Sequence, residues 1–427
     1  MQTSTINKFT LPNGLLVLLK EIHTAPLISH WVWYRVGSRN EKPGITGISH
    51  WVEHMQFKGT PKFPSKLSDK LIAREGGFWN AFTYLDWTTY FETMPAGKIE
   101  LALELEADRM QNSLFAPEEV ASERTVIISE RQGNENEPLF QLAEQVQAAA
   151  FRVHPYHHEV IGDMVDLETM QRDDLYNHYR AYYVPNNAVV AVAGDFEPEQ
   201  MLERIHHLYG PITPGMKSPP VTRSEPEQHG ERRVRVEGPG DTTYLQASYH
   251  APPAANPDFF PLAAMDSLLT GPSNLNMFGG GISNKTSRLY RALVEKELAV
   301  SVYGGLQATI DPFLYPITVI VHPNHTVDEV IETIETEIRR LQEEPPPAEE
   351  LKRAVKQARA LFAYGSESIT NQAFWLGFSE MFASYNWFLN SVESMAAVTP
   401  EDVQRVAQAY LRPQKRILGV YVPEGQD

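Results

Sequence analysis

The stretch Ile48-Ser49-His50-Trp51-Val52-Glu53-His54-Met55-Gln56-Phe57-Lys58-Gly59-Thr60 places two histidines four residues apart, with a glutamate just before the second. On a helix turning about 100° per residue, His50 and His54 lie about 40° apart, one turn above the other. Glu53 falls about 60° to the other side of His50, so all three share one face. Two imidazoles a turn apart can both reach one tetrahedral zinc ion and leave the carboxylate free to act as a base on water. The order H-x-x-E-H inverts the commoner zinc-peptidase order H-E-x-x-H, so the base arrives from the other side of the second ligand. The plain alternative is a surface helix that carries these three side chains by coincidence. A zinc site needs a third ligand from elsewhere in the chain.

Outward from this helix, Ser49 is a modest N-terminal signal, and Gly59-Thr60-Pro61 ends it. Upstream, residues 8–20 read as two strands about an Asn13-Gly14 turn, and residues 28–36 as a third, followed by a loop rich in Gly, Pro and charge. Downstream, a helix near residues 67–75 precedes the aromatic and threonine-rich runs 78–84 and 87–94, which are strand material. Ile99, Ala102, Leu103, Ala107 and Met110 keep a helical period. Pro117-Glu118-Glu119 opens the next helix, which runs on to Glu130. Helices near 139–152 and 173–183, a buried strand at Ala188–Gly194 and a helix at 197–209 complete the first half. Residues 210–230 are proline-rich and lack periodicity. The second half then reads strands at 231–236 and 243–250, helices near 260–269 and 287–297, a strand at 313–321, helices at 327–341, 348–364, 371–382 and 400–410, and a last strand at 416–422, an order that repeats that of the first half over a similar length. The expectation is an α+β protein: two similar tandem domains, each a mostly antiparallel sheet packed with helices. Their bounds are 1–212 for the zinc-binding domain, 213–230 for a linker and 231–427 for the second domain.

A hydrophobic content of 42% and 21% charged residues are ordinary for a globular chain. The formal charge of −17 argues against nucleic acid and anionic membrane partners. No apolar run is long enough to span a membrane, and residues 15–19 are too short for a signal peptide core. The expected location is cytoplasmic. With no cysteine, disulfides and thiolate metal sites are impossible, so any metal is held by His and carboxylate. That donor set suits catalytic zinc.

A third ligand must be Asp, Glu or His on an element able to pack beside the metal helix. In Val126-Ile127-Ile128-Ser129-Glu130, Glu130 is a candidate, and Glu123 lies two turns before it on the same face. One could ligate the metal while the other braces a ligand histidine. On residue pattern alone, both could equally be solvated acids.

The segment 48–60, followed by Gly76-Gly77-Phe78-Trp79-Asn80-Ala81-Phe82-Thr83-Tyr84-Leu85-Asp86, closely resembles the pitrilysin-type zinc peptidases, an inverzincin family. Pro155-Tyr156-His157-His158, Tyr183–Asn187 and Val398–Val403 also resemble it, so the likeness covers essentially the whole chain, in the short two-domain bacterial form. The resemblance implies a zinc endopeptidase with a clamshell of two domains. It implies one Zn2+ per chain on His50, His54 and Glu130, with Glu123 supporting the site and Glu53 as general base. It implies that the strand 78–84 pairs with the peptide substrate, held at Asn80 and Ala81; Phe82 is a further candidate contact, although with Phe78 and Trp79 it reads more readily as core or groove wall. His154, His157 and His158 would then lie in an ordinary loop.

One stretch departs from the pattern. Family members usually carry an Arg and a Tyr in the second half that bind substrate and stabilise the oxyanion. Residues 287–303 read Val294 and Val300 at those positions and are one residue short. Valine offers neither donor nor charge. Arg288, Arg291 or Tyr303 could substitute only by a register change. The chain therefore resembles the zinc-bearing subunit of the mitochondrial processing peptidase. A homologous subunit would supply Arg and Tyr in a heterodimer, with a homodimer also possible. The rival readings are a non-catalytic core-like assembly subunit and a zinc-dependent peptide-binding module. Phe278-Gly279-Gly280-Gly281 reads as a mobile loop.

Overall fold

The computed structural model describes residues 6–273 and 282–425. The glycine-rich segment 278–281 lies outside the described residues. The chain forms two compact units, and neither is a continuous segment. The first comprises residues 1–132, 158–223 and 366–385; the second comprises 133–157, 224–365 and 386–427.

The first unit is built on a six-stranded sheet in the order β1-β2-β6-β3-β5-β4. These strands are β1 (Ile6–Thr10), β2 (Leu16–Glu21), β3 (Leu27–Tyr34), β4 (Phe78–Thr83), β5 (Thr88–Pro95) and β6 (Ala188–Gly194). Strand β6 is apolar throughout and buried along its whole length, as a central strand covered on both faces should be. Its pairing with β2 is parallel; its pairing with β3 is antiparallel. Strand β4 pairs with β5 alone among the named strands and so forms an edge.

The helices of the first half are α1 (Ile48–Met55), α2 (Leu67–Arg74), α3 (Ile99–Asn112), α4 (Pro117–Glu135), α5 (Pro138–Ala150), α6 (Met164–Thr169), α7 (Arg172–Tyr182) and α8 (Pro198–Tyr209). The side of the first sheet carrying Tyr34 and Tyr90 faces a layer that includes α1, α3 and α8. Its other side carries Trp31, Trp33 and Phe91, with Trp31 stacked 4.1 Å from Phe91.

The second unit holds a five-stranded sheet in the order β7-β11-β8-β10-β9. Its strands are β7 (Arg232–Gly238), β8 (Tyr244–Ala251), β9 (Ala299–Gly304), β10 (Phe313–Val321) and β11 (Arg416–Pro423). The last strand is again parallel to the first and antiparallel to the second. This order equals that of β2-β6-β3-β5-β4, so the repeat in the sequence is a repeat of topology. Helices α9 (Phe259–Leu269), α10 (Val327–Glu343), α11 (Ala348–Gly365), α12 (Ile369–Phe382), α13 (Tyr385–Leu389), α14 (Ser391–Ala396) and α15 (Pro400–Tyr410) follow. No helix among the described residues is long and apolar enough to cross a membrane.

Residues 213–230 carry no helix or strand. Division at this segment alone differs from the compact units in two places. Helix α12, from the second half, packs on β3 and β6 of the first sheet, with Phe374 5.4 Å from Trp33. Helix α5, from the first half, packs on β11, β7 and β8 of the second. Each contact is made tight by a glycine. A Cβ on Gly377 of α12 would lie 2.0 Å from Trp33 Nε1, and one on Gly419 of β11 would lie 2.3 Å from Val146 Cγ2.

The helix expected over residues 287–297 runs over 288–294 and closes on a π-helical turn at Tyr290–Val294. Glu297 takes φ 60°, and the chain reverses into β9, a strand the sequence pattern did not reveal.

Candidate metal centre

Helix α1 is anchored at its first turn by a residue from the preceding loop. Glu41 accepts hydrogen bonds from the backbone N–H of Gly47 at 2.8 Å and of Ser49 at 2.9 Å. A carboxylate here both satisfies free helix N–H groups and complements the helix dipole. Glu41 is in turn held by His158 Nε2 at 2.8 Å. Burial pulls the His158 pKa down, but the Glu41 hydrogen bond and neighbouring carboxylates outweigh it and leave the pKa raised. One side of α1 is core, with Trp51, Val52 and Met55 buried. Its other side carries His50 and His54.

The His50 and His54 Nε2 atoms are 3.2 Å apart. Glu130, on α4, brings Oε1 to 3.9 Å from His50 Nε2 and Oε2 to 3.8 Å from His54 Nε2. One ligand atom from each of the three residues lies within 4.8 Å of the other two. Glu123, two turns earlier on α4, accepts from His54 Nδ1 at 2.8 Å and forms an ion pair with Lys58. With its proton on Nδ1, a neutral His54 points the Nε2 lone pair at His50. Burial, and then the charge of His54, push the His50 pKa down to about 3, so His50 is neutral near pH 7.

This donor set fits zinc. Two ligands about 2.0 Å from a tetrahedral ion stand about 3.3 Å apart, close to the histidine spacing here. Burial pulls the His54 pKa down, but its hydrogen bond to Glu123 and the nearby carboxylates leave it raised, so ion binding would displace its Nε2 proton. The two facing imidazole nitrogens beside a carboxylate are then the donors such an ion requires.

Glu53 lies on the same helix, 8% exposed. Burial pushes its pKa up to about 7, against a hydrogen bond from Thr83 and the nearby charge of His54, which lower it. Thr83 Oγ1 donates to Glu53 Oε2 at 2.7 Å.

Strand β4 brings Thr83 to this place. Trp79, Ala81 and Thr83 alternate onto the side facing α1, where Trp79 packs 4.7 Å from Phe57. Phe78, Asn80 and Phe82 take the other side, and Phe82 stacks on Phe91. Tyr84 N–H donates to Trp87 O at 2.8 Å, and the pairing runs on without a bulge. By antiparallel alternation, the backbone groups of Asn80 and Phe82 therefore turn toward β5, and those of Trp79, Ala81 and Thr83 toward the open edge. The Asn80 carboxamide oxygen accepts the Ala81 N–H at 2.9 Å.

Other residues singled out in the sequence lie apart from this group. His154 Nε2 is 3.1 Å from Asp311 in the second unit, whereas His158 serves α1 in the first. Val294 is half-buried at the end of its helical turn, and Val300 and Tyr303 are exposed on edge strand β9. Arg288 pairs with Glu350 at 2.6 Å, and Arg291 is exposed. A further surface group, Glu21, His23 and Glu197, could also gather around an ion. Its His23 nitrogens already sit 2.5 Å from Asp195 and 2.6 Å from Glu21, at hydrogen-bond spacing. Sequence reasoning did not single out Glu41, Lys58 or Thr83. Only Thr83 carried a signal, through the alternation of β4.

Residues 16–164 match the family model described as Insulinase (Peptidase family M16), and residues 169–358 match the one described as Peptidase M16 inactive domain. An uncharacterized zinc protease of Streptomyces coelicolor is 27% identical over 420 residues, covering 97% of this chain and 90% of that protein. The zinc protease PqqE of Helicobacter pylori is 32% identical over 304 residues, 68% of this chain and 64% of its own length. A chain named "Probable mitochondrial-processing peptidase subunit beta", from Arabidopsis thaliana, is 29% identical over 299 residues, 69% of this chain and 55% of its own. The crystal structure of a protease from Helicobacter pylori superimposes with a TM-score of 0.91 at 26% identity, covering 98% of this chain and 100% of that one. With both family models matched in order along a chain that repeats one sheet topology, this protein belongs to the zinc peptidases of family M16.

Proposed function

We propose that this chain is the zinc-bearing subunit of an endopeptidase that cleaves extended or unfolded peptide segments. The observation that carries the reading is the convergence of His50, His54 and Glu130 beside the buried carboxylate of Glu53. These three residues would hold one zinc ion per chain. When bound, zinc supplies Lewis acidity, polarising a peptide carbonyl and lowering the pKa of water. Glu53 takes a proton from the attacking water and delivers it to the leaving amine nitrogen, so one water is added across the C–N bond. Glu123 fixes the His54 tautomer and ring orientation.

The open edge of β4 supports a substrate bound as an added strand, paired with the backbone of Trp79, Ala81 and Thr83. Asn80 would release the Ala81 N–H as the peptide arrives, and Phe82 would flank the edge from the far face. Strand pairing reads backbone rather than side chains, which suits a broad range of sequences. Val294 and Val300 supply neither donor nor charge, and a relative named as a subunit supports a homologous partner that contributes the missing Arg and Tyr.

The test is hydrolysis of a quenched fluorescent peptide by the purified chain, alone and mixed with a homologous chain carrying the Arg and Tyr. Slow cleavage alone, stimulated on mixing and stopped by a zinc chelator, is expected. An undiminished rate from the isolated chain would remove the need for a partner. Bound zinc without cleavage in any mixture would leave a peptide-binding module.

A further inference from the structure

Strand β4 ends on a side chain whose only proton is committed to the general base. Thr83 Oγ1 lies 2.7 Å from Glu53 Oε2 and 3.4 Å from Thr88 Oγ1. Thr88 is fully buried and donates its own proton to Val36 O at 2.9 Å. Thr88 therefore accepts from Thr83 and does not donate to it, and the shorter contact gives the Thr83 proton to the ionised Glu53 carboxylate. The carboxylate is held from one side by a hydroxyl mounted on the sheet, not on its own helix. The backbone of the same residue faces the open edge of β4.

We propose that Thr83 is a positioning residue, whose hydroxyl holds the Glu53 carboxylate in its working orientation and ties that orientation to the strand that receives the peptide. A glutamate side chain has three rotatable bonds, and α1 alone does not select one rotamer for it. A charge-assisted hydrogen bond from a β-branched residue locked in a strand does select one. The inference rests on the peptidase reading above and adds to it a link between the edge strand and the base.

The experiment compares wild type, Thr83→Val, Thr83→Ser and Glu53→Gln for kcat and KM on the quenched peptide, with bound zinc and crystal structures determined for each. Valine keeps the shape and β-branching and removes the donor; serine keeps the donor. For Thr83→Val, a kcat lower by roughly 10- to 100-fold is expected, the kinetic equivalent of a hydrogen bond to a charged group. KM and zinc content should stay at wild-type values, and Glu53 should leave its rotamer in the crystal. Thr83→Ser should recover kcat to within about threefold, since the donated bond is retained. An unchanged kcat in Thr83→Val would overturn the proposal. So would serine failing as badly as valine, or a rise in KM in place of the fall in kcat. If the wild type shows no turnover that Glu53→Gln abolishes, the peptidase reading fails separately. The Glu53 rotamer in Thr83→Val then decides, and an unmoved carboxylate overturns the positioning role.

Discussion

The shared face of His50, Glu53 and His54 is legible because one helical turn relates them, whereas Glu123 and Glu130, two turns apart, read equally as solvated acids until the family resemblance singles them out. What anchors these residues was not legible. Glu41 and His158 meet across a separation of 117 residues, and Thr83 reaches Glu53 across 30, with no local pattern linking either pair. His158 lies in a loop, as the resemblance implies, and from there it steadies the Glu41 carboxylate that caps α1. The brace on His54 makes a direct prediction. Glu123→Ala removes the acceptor of His54 Nδ1 and should weaken zinc binding roughly 10- to 100-fold, measured by competition with a chromogenic chelator. An unaltered affinity would reduce Glu123 to a partner of Lys58. A second prediction concerns His178, whose Nε2 lies 3.3 Å from Ser49 Oγ beneath α1. Burial pushes its pKa down to about 4 from 6.5. Between these values the unfolded chain binds a proton that the folded chain refuses, so stability rises with pH across the window and is lost as pH falls from 6.5 toward 4. From this group alone the loss between pH 7.5 and pH 5 is about 2 kcal/mol. Urea unfolding of His178→Gln should show a shallower dependence over that range; an identical slope would mean the group is not buried neutral.

At the scale of elements, strand and helix patterns located most of both sheets, while β9 escaped. Its alternation is short, and the left-handed Glu297 that cuts the preceding helix has no glycine to announce it. Helix α12 was recognisable as a helix, and its apolar residues on all sides imply full burial. Nothing local states which sheet buries it. That information sits in shape: Trp33 fits only against a residue without a Cβ, and Gly377 supplies it. Gly377→Ala should therefore destabilise the first unit by roughly 1–3 kcal/mol through overpacking. Gly419→Ala should do the same to the second unit, where Val146 is the obstructing side chain. Thermal unfolding checks both, and a melting temperature unchanged by either would mean that its helix does not pack so closely on the sheet.

For the whole molecule, the repeat read from the order of elements is a repeat of topology, with β1 the one strand of the first sheet that has no counterpart in the second. The proline-rich residues 213–230 carry no regular structure, but the compact units also trade α5 and α12. A linear division of the chain cannot express that exchange, because it depends on contacts hundreds of residues apart. The same logic governs function. One half of the chain brings His50, His54 and Glu130 together beside Glu53, and the other half presents Val294 and Val300. The proposed peptidase activity requires Glu53 to act at a zinc site made by His50, His54 and Glu130. The most direct measurement is peptide hydrolysis by Glu53→Gln and wild type, each with the homologous partner and at matched, measured zinc content. Equal zinc and a rate lower by at least roughly 100-fold in the variant are expected, the contribution of a positioned general base. Equal zinc with an equal rate would contradict that role of Glu53.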